Sequence, residues 1–355
     1  MAMLMWLIVL CVQIEYIYGM QCLSQSGSPV DWFVVYKIPK QKNNKNPNLK
    51  NGTGFYYMDK INPRLVLSKR GIDDDGQAVY DTLNQVYHNK TAMAYIMYND
   101  NTPDNKTNSN RGHTKGVVAM DTSGGFWIVH STPKFPPFWS NRYKWAHNGN
   151  TNGQTFLCIS MIYSKMDNIG TILMYTYPFI YDKSFPHVFI KDNPTLASIV
   201  LGKGMRQIHV TKPPWYTVTK LATRNDDVFF SFAKYTNFER DLYDGLMSSY
   251  LKEDLLVQSW IESNRSPGDK LSSNCTIPNK VYNINSIQIP GTSITFPSSK
   301  DHSKWAVSKN SGNWLCIGDI NRQKPQFHRG GGQVCFQNEQ AWKSFKTLVK
   351  DFEAC

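Results

Sequence analysis

The chain of 355 residues is 41% hydrophobic, 13% aromatic and 19% charged. That composition excludes a mainly disordered chain and leaves ample length for a buried core. Lys and Arg outnumber Asp and Glu by 39 to 27, a net charge of +12, which suits a polyanionic partner such as nucleic acid, an anionic membrane surface or a sulfated glycan but decides nothing about fold.

Residues 1–12, MAMLMWLIVLCV, form an apolar run too short to span a bilayer as a helix. Followed by Tyr18-Gly19, they read as a secretory signal peptide cleaved after Gly19. The expected mature chain, 20–355, has no later apolar run of membrane-spanning length. Six cysteines follow the leader: Cys22, Cys158, Cys275, Cys316, Cys335 and Cys355. An even number in an exported chain suggests disulfides, with the connectivity left open by the spacing. None is spaced like a zinc site. Sequons at Asn51, Asn89, Asn105, Asn264 and Asn274 fit passage through a glycosylating compartment.

The β-branched and aromatic run 30–38 predicts a buried strand. The polar stretch 41–54 reads as a loop. A helix is predicted over 77–87, with Ala78, Val79, Leu83, Val86 and Tyr87 on one face. Asp73-Asp74-Asp75 precedes it; three adjacent carboxylates cannot all face one ion, so they read as capping groups for the helix dipole. Residues 99–112 form a loop rich in Asn, Asp and Thr. Strands follow at 116–121 and 126–131, joined by a Gly-containing turn. Residues 156–181 read as further strands. The segment 239–261 reads as a helix with Leu242, Leu246, Tyr250 and Leu251 at helical spacing, and 281–297 as strands. A last helix starts at an Asn338 cap and buries Trp342, Phe345, Val349 and Phe352. The fold class is mixed α/β (α+β) with much strand.

Two segments superpose without gaps at an offset of 189 residues. The first is His113-Thr114-Lys115 followed by GVVAMDTSGGFWIVHST; the second is His302-Ser303-Lys304 followed by WAVSKNSGNWLCIGDIN. Both read H-[ST]-K, strand, turn, strand, polar residue. His130 falls opposite Asp319, and Thr132 opposite Asn321. Side chains at i and i+2 of a strand share a face, so His113 projects with Lys115 and His302 with Lys304. Two similar halves, about 20–185 and 186–355, can bring both pairs to a pseudo-two-fold axis. Two imidazoles and two ammonium groups around one phosphate suit metal-free phosphodiester cleavage. One His attacks phosphorus, the other moves the proton of the leaving oxygen and then of water, and the lysines stabilise charge on the non-bridging oxygens.

These residues identify a likeness. The chain resembles the deoxyribonuclease II family, acid endonucleases of the phospholipase D superfamily. The matching stretches are GSPVDWFVVYKIP (27–39), GHTKGVVAMD (112–121), GGFWIVHSTPKFPP (124–137), GQTFLCIS (153–160), DHSKWAVS (301–308), WLCIGDINRQ (314–323) and RGGGQVC (329–335). The resemblance implies a pseudo-dimeric phospholipase D-like fold and a DNA substrate. It further implies cleavage without cofactor or metal to 3′-phosphate products, in a secreted or lysosomal protein. It places His113, Lys115, His302 and Lys304 in the family's catalytic positions. It also implies the pairings Cys22–Cys158, Cys275–Cys355 and Cys316–Cys335. The wider superfamily's H-x-K-x4-D pattern would put Asp at 120; Met120 stands there, with Asp121 next, and Lys309 stands at the corresponding place in the second half. These departures weigh against a lipase.

Supporting candidates are His130, Asp319 and Asn321: His130 is expected to orient a catalytic His or touch phosphate, with a hydrogen-bonded structural His as the alternative, and Asp319 and Asn321 to replace the superfamily's usual polar residues after the second motif. Arg329-Gly330-Gly331-Gly332 offers backbone N–H groups for a phosphate or a simple turn. Trp32, Trp127, Trp305 and Trp314 fall in strands and read as core. The competing function of a different class is a non-catalytic DNA-binding homologue; it would keep the basic groove and lose one HxK, and both are intact here. Nothing in the sequence speaks to oligomeric state.

Overall fold

A computed structural model describes residues 19–88, 93–202, 208–261 and 267–355. The expected leader, apart from Gly19, and the sequons at Asn89 and Asn264 lie outside the described residues. The protein is built on two large sheets with few helices.

The first sheet holds β1 (Trp32–Lys37), β2 (Phe55–Asp59), β3 (Val66–Leu67), β4 (Ala94–Asn99), β5 (Lys115–Asp121), β6 (Gly124–His130), β7 (Gln154–Met161) and β8 (Ile180–Ser184). Their order is β3-β2-β1-β7-β6-β5-β4-β8. The second holds β9 (Tyr216–Ala222), β10 (Val228–Lys234), β11 (Leu255–Gln258), β12 (Val281–Gln288), β13 (Thr295–Pro297), β14 (Trp305–Ser308), β15 (Trp314–Gly318) and β16 (Gly331–Gln337), with β17 (Val349–Phe352) paired to β12. Its order is β13-β12-β11-β14-β15-β16-β10-β9. The strands behind the two H-[ST]-K motifs have matching surroundings. The run β4-β5-β6-β7-β1-β2 in the first sheet has the same all-antiparallel pattern as β11-β14-β15-β16-β10-β9 in the second.

Both faces of the central strands are buried, and alternation divides them between layers. On β1, Trp32, Val34 and Tyr36 enter a core shared with Trp305, Leu315, Ile317, Val334 and Phe336 of the second sheet. Phe33 and Val35 point the other way, to α2 (Ala78–His88). The two sheets are thus packed face to face, with Trp32 tilted against Phe336 at 4.9 Å. Disulfides join Cys22 to Cys158, Cys275 to Cys355 and Cys316 to Cys335.

Several local expectations are corrected. The 41–54 stretch contains a short helix, α1 (Pro47–Asn51). Asn46 caps it with its side chain, Pro47 opens it, and Gly52 ends it in the left-handed region at φ 82°. These are the ordinary punctuation marks of a helix, and the polarity of the stretch does not prevent one. The 156–181 stretch is strand to Met161 and again from Ile180, where β8 begins, but not between. A helix over Asp167–Thr176 then buries Ile169, Ile172, Leu173 and Thr176 at helical spacing. In 239–261 helical backbone covers only Tyr243–Leu251; Tyr250 is exposed, and Leu255-Leu256-Val257 belong to β11. The last helix, Glu339–Lys346, has its Asn338 cap and buries Phe345, but Val349 and Phe352 lie on β17. The helix at 78–88 is capped by Gln77 and Gln25, whose side chains accept from the N–H groups of Val79 and Ala78. Asp74 instead closes a turn on the Gly71 N–H.

Candidate functional site

Each H-[ST]-K motif runs into the first residues of a central strand: Lys115 opens β5, and Lys304 directly precedes β14. The hairpin partner strands β6 and β15 end beside them, at His130 and Gly318. Each motif is then anchored by the opposite sheet. The His113 N–H donates to the carbonyl of Gly330, just before β16, at 2.8 Å. The His302 N–H donates to the carbonyl of Gly153, just before β7, at 3.0 Å. Glycine is required at both places. A Cβ at 153 would stand 2.1 Å from an Asp301 carboxylate oxygen, and one at 330 would stand 2.3 Å from the Thr176 carbonyl.

The imidazoles are gripped differently. His113 Nδ1 lies 2.5 Å from the main-chain carbonyl of Asp319. A carbonyl only accepts, so Nδ1 carries the proton and Nε2 presents a lone pair. His302 Nδ1 lies 3.2 Å from the Lys304 ammonium, which donates. Its proton is thereby left on Nε2 when the ring is neutral. The Lys304 Nζ also donates to the His302 carbonyl at 2.5 Å. The Trp260 ring meets the His302 ring edge-on at 4.8 Å.

Electrostatics join the two motifs into one cluster. Burial pushes His113 well below the ordinary imidazole range, with Lys115, Arg329 and Lys304 adding to the effect and Asp100 opposing it. Burial also pushes His302 down, reinforced by Lys304 and Lys115. Lys304 is itself driven well below the usual ammonium range, by burial and then by Lys115. Each motif thus feels the other's lysine. His113, Lys115 and Lys304 are buried and His302 is half-buried.

The supporting candidates separate. Asp319 is central: Oδ2 accepts from Thr114 Oγ1 at 2.5 Å and from the Lys115 N–H at 3.2 Å, while Oδ1 accepts from the Gly332 N–H at 3.0 Å. Burial nevertheless pushes its carboxyl up to about 6. Asn321 acts at one remove, its Oδ1 accepting from the Trp260 N–H at 3.2 Å. His130 is stacked on Phe156 at 5.4 Å and edge-on to Phe135. Its Nδ1 accepts from the Thr132 N–H, and burial followed by Lys115 lowers it to about 3. Its ring sits in an aromatic cluster, and its buried Nε2 has no hydrogen-bond partner among the described residues. The triple glycine is not an open cradle, since the Gly330 carbonyl holds His113 and the Gly332 N–H holds Asp319. Asp121, next to the superfamily's expected position, closes the β5–β6 turn through the N–H groups of Ser123 and Gly124. Of the sequons, Asn51 and Asn105 are exposed, whereas Asn274 is half-buried and its Nδ2 donates to Asp244.

Sequence reasoning missed three contributors. Asp100 touches Lys115 and Arg329. Arg329 enters through its side chain, not through the glycines after it. Asp301, buried, accepts from the Tyr36 hydroxyl at 2.6 Å and so ties β1 to the second motif. Among the described residues no group of three or more His, Cys, Asp or Glu could hold a metal ion, and no helix is long and apolar enough to cross a membrane.

The sequence model of the family described as Deoxyribonuclease II matches residues 21–355. The chain is 40% identical over 343 residues to deoxyribonuclease-2-alpha of Rattus norvegicus, covering 95% of each chain. It is 38% identical over 342 residues to plancitoxin-1 of Acanthaster planci, covering 95% of this chain and 93% of that one. Against deoxyribonuclease-2 of Caenorhabditis elegans the identity is 33% over 375 residues, covering 97% and 96%. A family match over residues 21–355, together with relatives 33–40% identical over more than nine-tenths of the chain, means that the chain belongs to the deoxyribonuclease II family.

Proposed function

We propose that the chain is an acid endonuclease that hydrolyses phosphodiester bonds of DNA without a metal ion, leaving 3′-phosphate and 5′-hydroxyl ends. The observation that carries this reading is the paired grip on the imidazoles: one presents a bare Nε2, the other a proton on Nε2, within a single cationic cluster.

In the first step His113 Nε2 attacks phosphorus. The N–P bond forms as the bond to the 5′-oxygen breaks, and protonated His302 gives its proton to that oxygen. In the second step His302 takes a proton from water. The water oxygen attacks phosphorus, the N–P bond breaks, and the 3′-phosphate leaves. Lys115 and Lys304 stabilise charge on the non-bridging oxygens, the task that a metal performs elsewhere. The Asp319 carbonyl keeps the His113 proton on Nδ1 and so keeps the attacking nitrogen free. The matched strand orders and the reciprocal glycine contacts support a pseudo-dimeric, phospholipase D-like arrangement of two halves, about 20–185 and 186–355. Three disulfides suit an oxidising compartment, in line with a secreted or lysosomal protein.

The test is plasmid nicking at acid pH in excess EDTA, with end-group analysis of the products. Cleavage to 3′-phosphate ends is expected. No cleavage would favour the non-catalytic DNA-binding alternative, and activity lost to EDTA and restored by Mg²⁺ would sink the metal-free step.

A further inference from the structure

Asp100 follows β4, and its carboxylate lies against three cationic or ionisable groups of the site. Oδ1 accepts from Lys115 Nζ at 2.5 Å, Oδ2 accepts from an Arg329 terminal nitrogen at 3.1 Å, and Oδ2 stands 4.0 Å from His113 Nε2. That nitrogen is the one left without a proton by the Asp319 carbonyl. Asp100 therefore sets an anionic oxygen 4.0 Å from the proposed attacking atom, its carboxylate paired with two cations drawn from opposite sheets.

The surrounding chain holds the groups at this place. The Asn99 side chain donates to the carbonyls of Thr132 and Phe135, which pins the end of β4. The Asp100 carbonyl accepts from the Asn108 N–H, which folds the loop back on itself. Arg329 is aimed by its Nε–H, which donates to the Arg111 carbonyl at 3.1 Å. Its own carbonyl, with those of Gln326 and Phe327, accepts from buried Lys234. Against the upward push of burial, Lys115, His113 and Arg329 hold the Asp100 carboxyl well below the usual carboxylate range. Its charge therefore persists to lower pH than that of an ordinary carboxylate.

Two planar or tetrahedral oxyanions cannot share this seat. A phosphate close enough for His113 Nε2 to reach phosphorus brings its non-bridging oxygens into the region that the Asp100 oxygen holds. Like charges at such separations repel strongly in a water-poor site. We infer that Asp100 is a stand-in for the scissile phosphate, filling the cation-lined seat of the free protein and yielding it on DNA binding, and that Arg329 is a third phosphate-binding cation beside Lys115 and Lys304. This inference rests on the phosphodiesterase reading for the identity of the ligand. In the free protein the carboxylate keeps Lys115 and Arg329 paired, which avoids buried unpaired charge. In the complex the phosphate takes over that pairing.

Inorganic phosphate is the probe, titrated calorimetrically into the full-length mature protein at acid pH in the absence of DNA. Asp100→Ala should bind it at least about tenfold tighter than the unaltered protein, a difference of about 1.4 kcal/mol. Asp100→Asn keeps the shape, removes the charge and should shift in the same direction. Arg329→Gln should bind it about tenfold more weakly. If Asp100→Ala fails to fold, Asp100→Asn decides, with its Tm as the control. Equal or weaker phosphate binding by the folded Asp100 variant overturns the inference and makes Asp100 a structural clamp for the two cations. Unchanged binding by Arg329→Gln removes Arg329 from the site. The nicking assay is read separately, so an inactive enzyme that binds phosphate tightly as the Asp100 variant would fail the nuclease reading and not this one.

Discussion

Asp319→Asn isolates the group on which the first motif is assembled. The carboxylate accepts three hydrogen bonds, from Thr114 and Lys115 on one oxygen and from Gly332 on the other. An amide with its oxygen toward Thr114 and Lys115 keeps two of them and turns an NH2 group on the Gly332 N–H. One buried donor is then unpaired, at a cost of about 1–3 kcal/mol at any pH. A second contribution depends on pH. Burial raises the carboxyl from its ordinary value of 3.8 to about 6, a displacement worth about 3 kcal/mol. The folded-state value lies above the unfolded one, so this contribution is fully present below the unfolded value and is lost as pH rises through about 6. The variant does not titrate here. It should therefore be less stable than the unaltered protein at the acid end by about 1–3 kcal/mol. The gap should close or reverse near neutrality. Urea unfolding of both proteins across this range, with disulfides intact, measures the difference. The difference matters because His113, His130 and His302, all lowered, pull the stability of either protein the opposite way. A gap that does not change with pH would refute the account of Asp319 as a buried carboxyl with a raised pKa.

Other outcomes follow from the site. His302→Ala should lower the turnover number by about 10²–10⁴, the usual worth of a positioned acid–base group, and His113→Ala by at least as much. The double variant should be little worse than either alone, because both serve one reaction; near-normal turnover in either single variant would contradict the mechanism. The profile of kcat/KM against pH should be bell-shaped with an acidic maximum. One imidazole must be neutral and the other protonated, and burial with the neighbouring lysines has lowered both below the ordinary value near 6.5. An alkaline maximum on DNA would contradict the site.

The four H-[ST]-K side chains were legible because their signal is local and doubled. Alternation along a strand puts His with Lys, and the repeat at matching spacing marks both copies. The supporting groups were not legible, because nothing local ties them to the motifs. Asp100 sits 15 residues from Lys115 inside a loop of ordinary polar composition. Arg329 reaches Asp100 across 229 residues of chain. The repeat is not matched by equal surroundings at one place. It set His130 opposite Asp319 as an equivalent polar residue, yet the two ends diverge: one joins an aromatic cluster, the other bonds across to the first motif. Hydrophobic richness alone does not distinguish strand from helix in 156–181; the period does. Ile169, Ile172, Leu173 and Thr176 are spaced for a helix, and the helix is there.

The reciprocal contacts make the site a property of the packed sheets rather than of either motif. His113 is held by the main chain of Gly330 and Asp319, His302 by that of Gly153, and Asp301 by the Tyr36 hydroxyl. Each of these bonds crosses from one sheet's segment to the other's. They form at the rim of the same core in which Trp32 packs on Phe336 and Phe229. Separation of the sheets would remove the carbonyl that fixes the His113 tautomer at the same moment as it removed the second imidazole. It would also hydrate both lysines and relax the histidines toward their ordinary proton affinities. No partly docked state therefore retains half of the chemistry. The lowered proton affinities of the imidazoles and the apolar burial that docks the sheets have one origin, the exclusion of water from the seam between them.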